Sequence, residues 1–243
     1  MTLKECMLVN NDCYVKGEKI TDNQPLGIVV HSTGANNKTL KRYVQPSKEQ
    51  SYYNEVIEDI GYNKNGNSWN RPSVSKCVHA FIGTNVNGIV ETYQTLPFNY
   101  CCWGIGTGSK GSYNYNPTAH IQFEICEDDL TDETYFYQVM SEAQEFCAYI
   151  CNAYTLSVNS IVSHYEAYKL GYGSKHYDID SWLSKFDMDM SWFRSRVSTI
   201  LKENYSPVRY TVQVGSYSVK KNAQKMVEKL KSAGFSGYIK IKE

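Results

Sequence analysis

The chain has 243 residues, 42% of them hydrophobic, and a formal net charge of zero at pH 7. This length allows one large domain, or a medium domain joined to a small one, and the balanced charge argues against a nucleic-acid-binding protein. No apolar run approaches the roughly 18 residues of a membrane span, and no basic segment followed by an apolar stretch opens the chain as a signal peptide would. We therefore expect a globular protein that is made in the cytoplasm and has no membrane-spanning segment.

Eight cysteines are spread through the chain without the spacing of a disulfide or metal-binding framework. Cys101 and Cys102 are adjacent, Cys147 and Cys151 lie one helical turn apart, and no Cys-x-x-Cys pair occurs. This pattern argues against a zinc ribbon. We expect reduced thiols that are mostly small buried residues.

The first half of the chain alternates between predicted strands and helices. LGIVVH, residues 26–31, predicts a buried strand that ends in a histidine, and residues 47–63 have the periodicity of a helix. Two strands then flank an Asn-Gly turn at residues 87–88, which is a strong hairpin signal. Residues 103–117, rich in Gly, Ser, Asn and Tyr, predict a loop, and residues 120–125 alternate as a half-buried strand does.

Two longer helices complete the body of the chain. Thr131 is predicted to cap the first of them. Its apolar stripe comprises Phe136, Val139, Ala143, Phe146 and Ile150. The second runs over about residues 189–203, with Phe193, Val197 and Ile200 facing inward. Because strands and helices interleave, the body is predicted to be α/β or α+β, with a central sheet flanked by helices.

The composition changes near residues 204–207, where a proline breaks any helix. We therefore predict a domain boundary here, with a body over residues 1–204 and a small unit over residues 205–243. The small unit carries eight Lys or Arg against two Glu, a net charge of +6, whereas the body has a net charge of −6. This asymmetry suits contact with an anionic partner, although a solvated lysine-rich helix would have the same composition.

The small unit has the pattern of a strand, a helix and a second strand. The two alternating strands are predicted over residues 210–217 and 238–242, and Ser218 and Gly234 are predicted to bound the helix between them. A βαβ unit of this size is too small to hold a stable core by itself.

Two histidines and an aspartate form a candidate metal site. His31 ends the first predicted strand, while His164 and Asp178 lie in the stretch SHYEAYKLGYGSKHYDID, residues 163–180. Two imidazoles and one carboxylate leave a fourth position for water, as in catalytic zinc sites. The spacing alone leaves a second interpretation open, because a histidine at a strand end is often only a hydrogen-bonded residue.

Glu124 lies on the same face of its predicted strand as His120, opposite the apolar side chains. A carboxylate on a buried strand is unfavourable unless it is paired or functional. Glu124 is therefore either a paired or edge-exposed residue or a general base.

Five segments in order resemble one known family: IVVHSTGA, VHAFIG, GIVETYQTLPF, HIQFEICED and SHYEAYKLGYGSKHYDIDSW. Together they resemble the zinc-dependent N-acetylmuramoyl-L-alanine amidases of the type-2 amidase family, relatives of the peptidoglycan-recognition proteins. The similarity is greatest to amidases of clostridial phages, prophages and autolysins, and it covers nearly all of residues 20–200. It implies a central mixed sheet flanked by helices.

The resemblance also implies residue roles. His31, His164 and Asp178 match the zinc ligands, and Glu124 matches the glutamate that acts as the base. His176 matches the residue that stabilises the oxyanion, although direct binding of zinc by His176 is an alternative. Candidates on the substrate side are His79, Tyr93, Trp103 and Lys175; Tyr113 and Tyr115 are further aromatic candidates.

One position departs from the family pattern. Where many relatives have Trp-His-x-Gly, this chain has Trp103-Gly104-Ile105-Gly106, so a histidine that would reach substrate is replaced by Gly104. Lys175 is a second candidate for the oxyanion role. His79 also matches a family histidine, and we interpret it, like His120, as structural or substrate-side and not as a metal ligand.

The implied reaction is hydrolysis of the amide bond between N-acetylmuramic acid and L-alanine in bacterial peptidoglycan. The enzyme would use Zn²⁺ and Glu124 and would lyse or remodel the cell wall after its release from the bacterial cytoplasm. A non-catalytic peptidoglycan-binding protein on the same fold is the main alternative, and a cytosolic amidase that recycles wall fragments is another.

The C-terminal sequence YTVQVGSYSVKKNAQKMVEKLKSAGFSGYIKIK resembles half of a SPOR unit, a module that binds glycan strands of the wall. A lone βαβ unit leaves an apolar sheet face and an unpaired edge. We therefore expect that two such units, from two chains, pair to complete the sheet and form a homodimer. The alternatives are docking of the unit onto the amidase body and truncation of a longer ancestral module.

Overall fold

A six-stranded sheet lies at the centre of the larger of two units into which the chain folds, Met1–Ser206 and Pro207–Glu243. The computed structural model describes residue 1 and residues 3–205 and 212–241. The strands are β1 (Leu3–Glu5), β2 (Ile28–Ser32), β3 (Ala80–Thr84), β4 (Val90–Gln94), β5 (Ile121–Ile125) and β6 (Ile161–Ser163). Their order across the sheet is β1-β4-β3-β5-β2-β6.

β3 and β4 form the predicted hairpin and make the sheet mixed. They pair antiparallel, whereas the other neighbouring pairs of described strands are parallel. The turn is closed by a hydrogen bond from the Asn85 N–H to the Ile89 carbonyl at 2.9 Å. Gly88 has a φ of +76°, which glycine adopts without strain. The Asn-Gly signal therefore predicted this turn correctly.

β2 is enclosed on both edges, because it pairs in parallel with β5 on one side and with β6 on the other. All five of its residues are buried, as expected for an inner parallel strand. Ile28 and Val30 belong to the main core, whereas Val29 belongs to a smaller cluster on the opposite face. His31 shares that opposite face with Val29, since side chains alternate along a strand.

The side chains of β5 also alternate between the two faces of the sheet. Ile121, Phe123 and Ile125 enter the main core. The parallel register places Val29 beside Gln122 and His31 beside Glu124. Gln122 and Glu124 therefore lie on the face of the sheet that carries His31.

Six helices accompany this sheet in the described part of the larger unit. They are α1 (Asp12–Lys16), α2 (Tyr53–Ile60), α3 (Glu133–Tyr154), α4 (His164–Leu170), α5 (Asp178–Lys185) and α6 (Met190–Asn204). The apolar stripe of α3 is fully buried as predicted, and α6 packs on α3 with Phe193 and Val197 buried and Ile200 partly buried. Each large side chain in this layer contributes about 1.5–3 kcal/mol to stability.

The cap of α3 differs from the prediction. Asp132 is the N-cap and accepts a hydrogen bond from the Tyr135 N–H at 3.0 Å, whereas the Thr131 hydroxyl donates to Asp129 at 2.6 Å. The predicted Thr131 cap is wrong because the carboxylate one residue later is an equally good acceptor that also favours the positive end of the helix.

The expectation of reduced cysteines is wrong for one pair. Cys13, in α1, and Cys77, before β3, form a disulfide with a Cα–Cα distance of 6.3 Å. They are 64 residues apart, so no local sequence spacing predicts that they pair. The other six cysteines are free and buried, as predicted.

The smaller unit contains one helix in its described part, α7 (Lys220–Ser232). Val219 is its N-cap, without a side-chain hydrogen bond, so the predicted Ser218 cap is wrong; Gly234 follows the helix with a φ of +85°, as expected. Residues 212–217 and 238–241 are not strands; a strand needs neighbouring partners for its backbone groups, and none pairs with these segments among the described residues. Residues 210–211 and 242 lie outside the described residues.

No helix in the described ranges is long and apolar enough to cross a membrane.

Candidate metal centre and active site

The three predicted metal ligands meet at the end of β2. The His31 Nδ1 atom lies 3.1 Å from Nδ1 of His164 and 3.1 Å from Oδ2 of Asp178. The His164 Nδ1 atom lies 2.8 Å from the same carboxylate oxygen. Both histidines are buried and Asp178 is half-buried. The structure thus brings together one ligand from the sheet and two from helix starts.

The local structure around α4 and α5 explains how two ligands 14 residues apart meet. Ser163 and Glu166 form a capping box that fixes the start of α4 at His164. Gly171 ends this helix with a φ of +93°, and the chain turns back to begin α5 at Asp178. Asp178 has a φ of +34°, a region that is unfavourable for a residue with a Cβ and that is often found at functional sites.

The Nε2 atom of each imidazole lies within hydrogen-bond distance of a neighbouring side chain. The His31 Nε2 atom lies 3.0 Å from Oε1 of Gln122, and the His164 Nε2 atom lies 3.2 Å from Oγ of Ser174. The Ser174 hydroxyl donates its own proton to the Ile105 carbonyl at 2.8 Å, so it accepts from His164. Each ring therefore donates from Nε2 and directs Nδ1 to the other ligands.

This arrangement fits a metal ion. Two Nδ1 atoms and a carboxylate oxygen face one point, and such acceptors repel one another unless a proton or a metal cation lies among them. Burial raises the pKa of Asp178, but the neighbouring His164 and His31 rings outweigh burial and hold that pKa below its usual range. The carboxylate is therefore ionised, and the donor set of two imidazoles and one carboxylate is suited to zinc.

Glu124 lies beside His31 in the sheet register, and its Oε2 atom is buried with no hydrogen-bond partner in the described part of the chain. Burial and the charges of Asp178 and Glu127 raise its pKa well above the usual glutamate range. A buried carboxylate without a partner is unfavourable for stability, and at such a position it is suited to accepting and returning a proton.

His176 lies next to the cluster and is not part of it. Its side chain is exposed, and its ring centroid is 4.9 Å from that of His164. The group of possible metal ligands in the described residues contains His31, His164 and Asp178 without His176. Lys175 is also exposed, and its ammonium lies 5.9 Å from the ring centroid of Tyr177.

Two of the predicted substrate-side residues are enclosed by the fold. His79 is fully buried; its Nε2 donates to the Tyr100 carbonyl at 2.8 Å, and its Nδ1 accepts from the Gln122 N–H at 3.0 Å. Burial lowers the pKa of His79 to about 4, so it is neutral and ties β5 to the loop at Tyr100. Tyr93 is also buried, and its hydroxyl donates to Asp59. These contacts argue against substrate binding by either residue.

The other aromatic candidates lie along the loop before β5. Trp103 is half-buried and packs on the cluster that contains the disulfide cysteines. Tyr113 is buried between His120 and Tyr172, with ring centroids 3.8 and 4.8 Å away. Tyr115 is exposed. Burial lowers the pKa of His120 to about 4, which fits a structural histidine.

Gln122 and Ser174 contact the ligands but had no predicted role. For Gln122 there was a signal in the sequence, because it shares a strand face with Glu124. Ser174 carries no such signal, since it lies in an irregular turn whose course cannot be read from periodicity.

Solved structures of a hydrolase and of two catalytic domains share this fold. The Staphylococcus aureus hydrolase AmiA, solved with its ligand, is 19% identical with a TM-score of 0.54, covering 84% of this chain and 85% of that one. The catalytic domain of PlyG is 18% identical with a TM-score of 0.52, covering 86% and 100% of the two chains. The catalytic domain of XlyA is 18% identical with a TM-score of 0.51, covering 81% and 99%. A comparison with curated proteins found no match.

Two family models match the sequence itself. The SPOR domain model matches residues 206–243, the part of the chain that was predicted to resemble half of such a unit. The model described as N-acetylmuramoyl-L-alanine amidase matches residues 21–179, which include all three residues of the candidate metal cluster and Glu124. The chain therefore belongs to the N-acetylmuramoyl-L-alanine amidase family, Amidase_2.

Proposed function

We propose that this peptidoglycan amidase cleaves the bond between N-acetylmuramic acid and L-alanine with a zinc ion held by His31, His164 and Asp178. The observation that supports zinc is the convergence of two Nδ1 atoms and a carboxylate oxygen within 3.1 Å of one another. Three protein ligands leave a position for water or substrate. Zinc, when bound, supplies a Lewis acid that polarises the amide carbonyl and makes water more acidic.

Glu124 is the general base in this proposal. It takes a proton from the attacking water and returns it to the nitrogen of L-alanine as the amide bond breaks. Its Oε2 atom has no hydrogen-bond partner among the described residues, so a proton can be accepted there without breaking a hydrogen bond of that part of the fold. The raised pKa of the buried carboxyl also suits a group that must hold the proton between the two steps.

His176 stabilises the oxyanion that forms on the former carbonyl oxygen. It is exposed, and its ring centroid lies 4.9 Å from that of His164. A hydrogen-bond donor aimed at the developing oxyanion typically lowers the activation free energy by about 3–4 kcal/mol. Because His176 is outside the ligand cluster, its loss should affect turnover and not zinc binding.

The C-terminal unit binds peptidoglycan and keeps the amidase on the wall. Its match to the SPOR family and its net charge of +6 support contact with an anionic wall. Several of its apolar side chains are exposed: Val212, Val214, Val219, Phe235, Tyr238, Ile239 and Ile241. Such a surface favours pairing of two units, and homodimerisation stays a prediction. Sedimentation of the full chain tests it, and a monomer at all concentrations would contradict it.

Zinc analysis together with wall digestion tests the catalytic proposal. The native chain should contain one zinc ion and release new amino termini from purified peptidoglycan, and His164→Ala should lose both. Lys169→Ala, an exposed change on the same helix, is the control and should keep both. Full activity without bound zinc would refute the proposed mechanism, and wall binding without release of amino termini would favour the non-catalytic alternative.

A further inference from the structure

The Gln122 side chain on β5 is fully buried. Both the nitrogen and the oxygen of its amide have hydrogen-bond partners. Its Nε2 donates to Oδ1 of Asn114 at 3.0 Å and to the Tyr113 carbonyl at 3.3 Å. Its Oε1 lies 3.0 Å from Nε2 of His31. A buried amide with this many partners has one orientation, since any rotation would leave a polar atom without a partner.

The orientation of this amide follows from its neighbours. Oδ1 of Asn114 accepts from the backbone N–H groups of Gly104 and Ile105 at 3.0 and 3.1 Å, so it must be an oxygen. Gln122 must then present its NH₂ group to Asn114 and its oxygen to His31. An oxygen can only accept, and therefore His31 carries its proton on Nε2 and keeps the lone pair of Nδ1 for a metal ion.

Gly104 makes room for this contact. A Cβ atom at position 104 would lie 2.6 Å from Oε1 of Gln122 and 3.1 Å from Cγ1 of Val78. The first distance is impossible without movement of the amide, whose oxygen is fixed by His31. The absence of a Cβ at Gly104 therefore leaves the space that the Gln122 amide needs.

The backbone of Gln122 is fixed as well. Its N–H donates to Nδ1 of His79 at 3.0 Å, and its carbonyl accepts from the His79 N–H at 2.7 Å. The neutral, buried His79 therefore holds the strand at the residue that contacts His31. The series of hydrogen bonds runs from the loop at Gly104 through Asn114 and Gln122 to His31.

We propose that Gln122 is a positioning residue of the metal centre that fixes the tautomer and ring orientation of His31, and that Gly104 is required to admit it. The inference rests on the proposed zinc site. Hydrogen-bond partners of metal-binding histidines typically change metal affinity by about 10- to 100-fold when they are removed. Gln122 touches neither zinc nor substrate, so its effect passes through His31.

Zinc affinity, measured by competition with a chelator, is the first test. Gln122→Ala should bind zinc about 10- to 100-fold more weakly than the native chain. Gln144→Ala is the matched control, because Gln144 is also a buried glutamine, lies on α3 and is not among the hydrogen-bond partners found for His31, His164 or Asp178 in the described residues. It should leave zinc affinity unchanged. Native zinc affinity in folded Gln122→Ala would overturn the inference and leave the proposed function standing.

The proton on His31 gives a second test that needs no metal. In the metal-free native chain, the ¹⁵N spectrum should show His31 protonated at Nε2, with slow exchange of that proton. In Gln122→Ala the ring should sample both tautomers and its proton should exchange rapidly. A single Nε2-protonated form in both proteins would refute the role of Gln122.

Gly104→Ala tests the coupling between the two positions. Alone it should weaken zinc binding, because its Cβ displaces Oε1 of Gln122, whereas in the Gln122→Ala background it should add little. Additive losses would refute the coupling. If the native chain binds no zinc, the proposed function fails, and the tautomer measurement still decides whether Gln122 orients His31.

Discussion

Replacement of Glu124 by glutamine tests the role of this residue in catalysis without disturbing the fold. The change removes the base but keeps nearly the same shape, and it breaks no hydrogen bond at Oε2, which has no partner in the described residues. Loss of general acid–base catalysis typically lowers kcat about 10²- to 10⁴-fold, which corresponds to about 3–5 kcal/mol of transition-state stabilisation. We expect a loss in this range, measured as release of amino termini from purified peptidoglycan, with zinc content unchanged.

Although kcat should fall in Glu124→Gln, the stability of this variant should not fall. Burial and the charges of Asp178 and Glu127 raise the pKa of Glu124 in the folded chain. A carboxyl whose pKa is higher in the folded chain than in the unfolded chain lowers the free energy of unfolding once the pH exceeds the unfolded pKa. This loss of stability grows with pH until the pH reaches the folded pKa. Metal-free Glu124→Gln should therefore be at least as stable as the native chain at neutral pH, with an advantage that grows as the pH rises from the ordinary glutamate range.

A matched carboxylate provides the control for both measurements. Glu142 on α3 accepts a hydrogen bond from the Thr92 hydroxyl at 2.7 Å, and burial raises its pKa. Glu142→Gln should keep native activity. A loss of kcat smaller than about tenfold in Glu124→Gln would refute the assignment of the base. An equal loss in both variants would attribute the effect to folding.

Two further predictions address histidines with different roles. His176→Ala should lower kcat about 10²- to 10³-fold, as expected for one oxyanion donor, while zinc content stays native; loss of zinc would instead identify His176 as a ligand. His79→Ala should lower the free energy of unfolding by about 2–4 kcal/mol, because it opens a cavity and leaves the Tyr100 carbonyl and the Gln122 N–H without partners. Thermal unfolding of the metal-free chain measures this change, and an unaltered melting temperature would contradict it.

The sequence predicted those parts of the site that depend on strand periodicity. The alternation in residues 120–125 predicts that Glu124 faces away from the core, and the apolar run before His31 predicts a buried strand that ends at the site. Pairing of these strands in parallel then puts the two residues side by side. The meeting of His164 with Asp178 was expected only from the family resemblance, because two helix starts can be oriented in many ways.

Other features could not be predicted because their partners are distant or irregular. The role of Gln122 depends on Gly104 and Asn114, which lie in a loop without periodicity. The Cys13–Cys77 disulfide joins residues whose separation carries no local signal. The strands expected in the C-terminal unit follow the correct alternating pattern, but a pattern cannot supply the neighbouring strand that their backbone groups require.

The enclosure of β2 on both edges determines when the metal centre can exist during folding. His31 and His164 are 133 residues apart, and they meet only after β2 has paired with β5 and β6. Such long-range parallel pairing is a slow part of folding, so an unfolded or half-folded chain has no complete set of ligands to offer. In the proposed zinc site, the ion would find all three residues together only in the folded chain, and its binding free energy would then add to the stability of the native state. A zinc ion bound there would therefore stabilise the folded chain as well as take part in the proposed reaction.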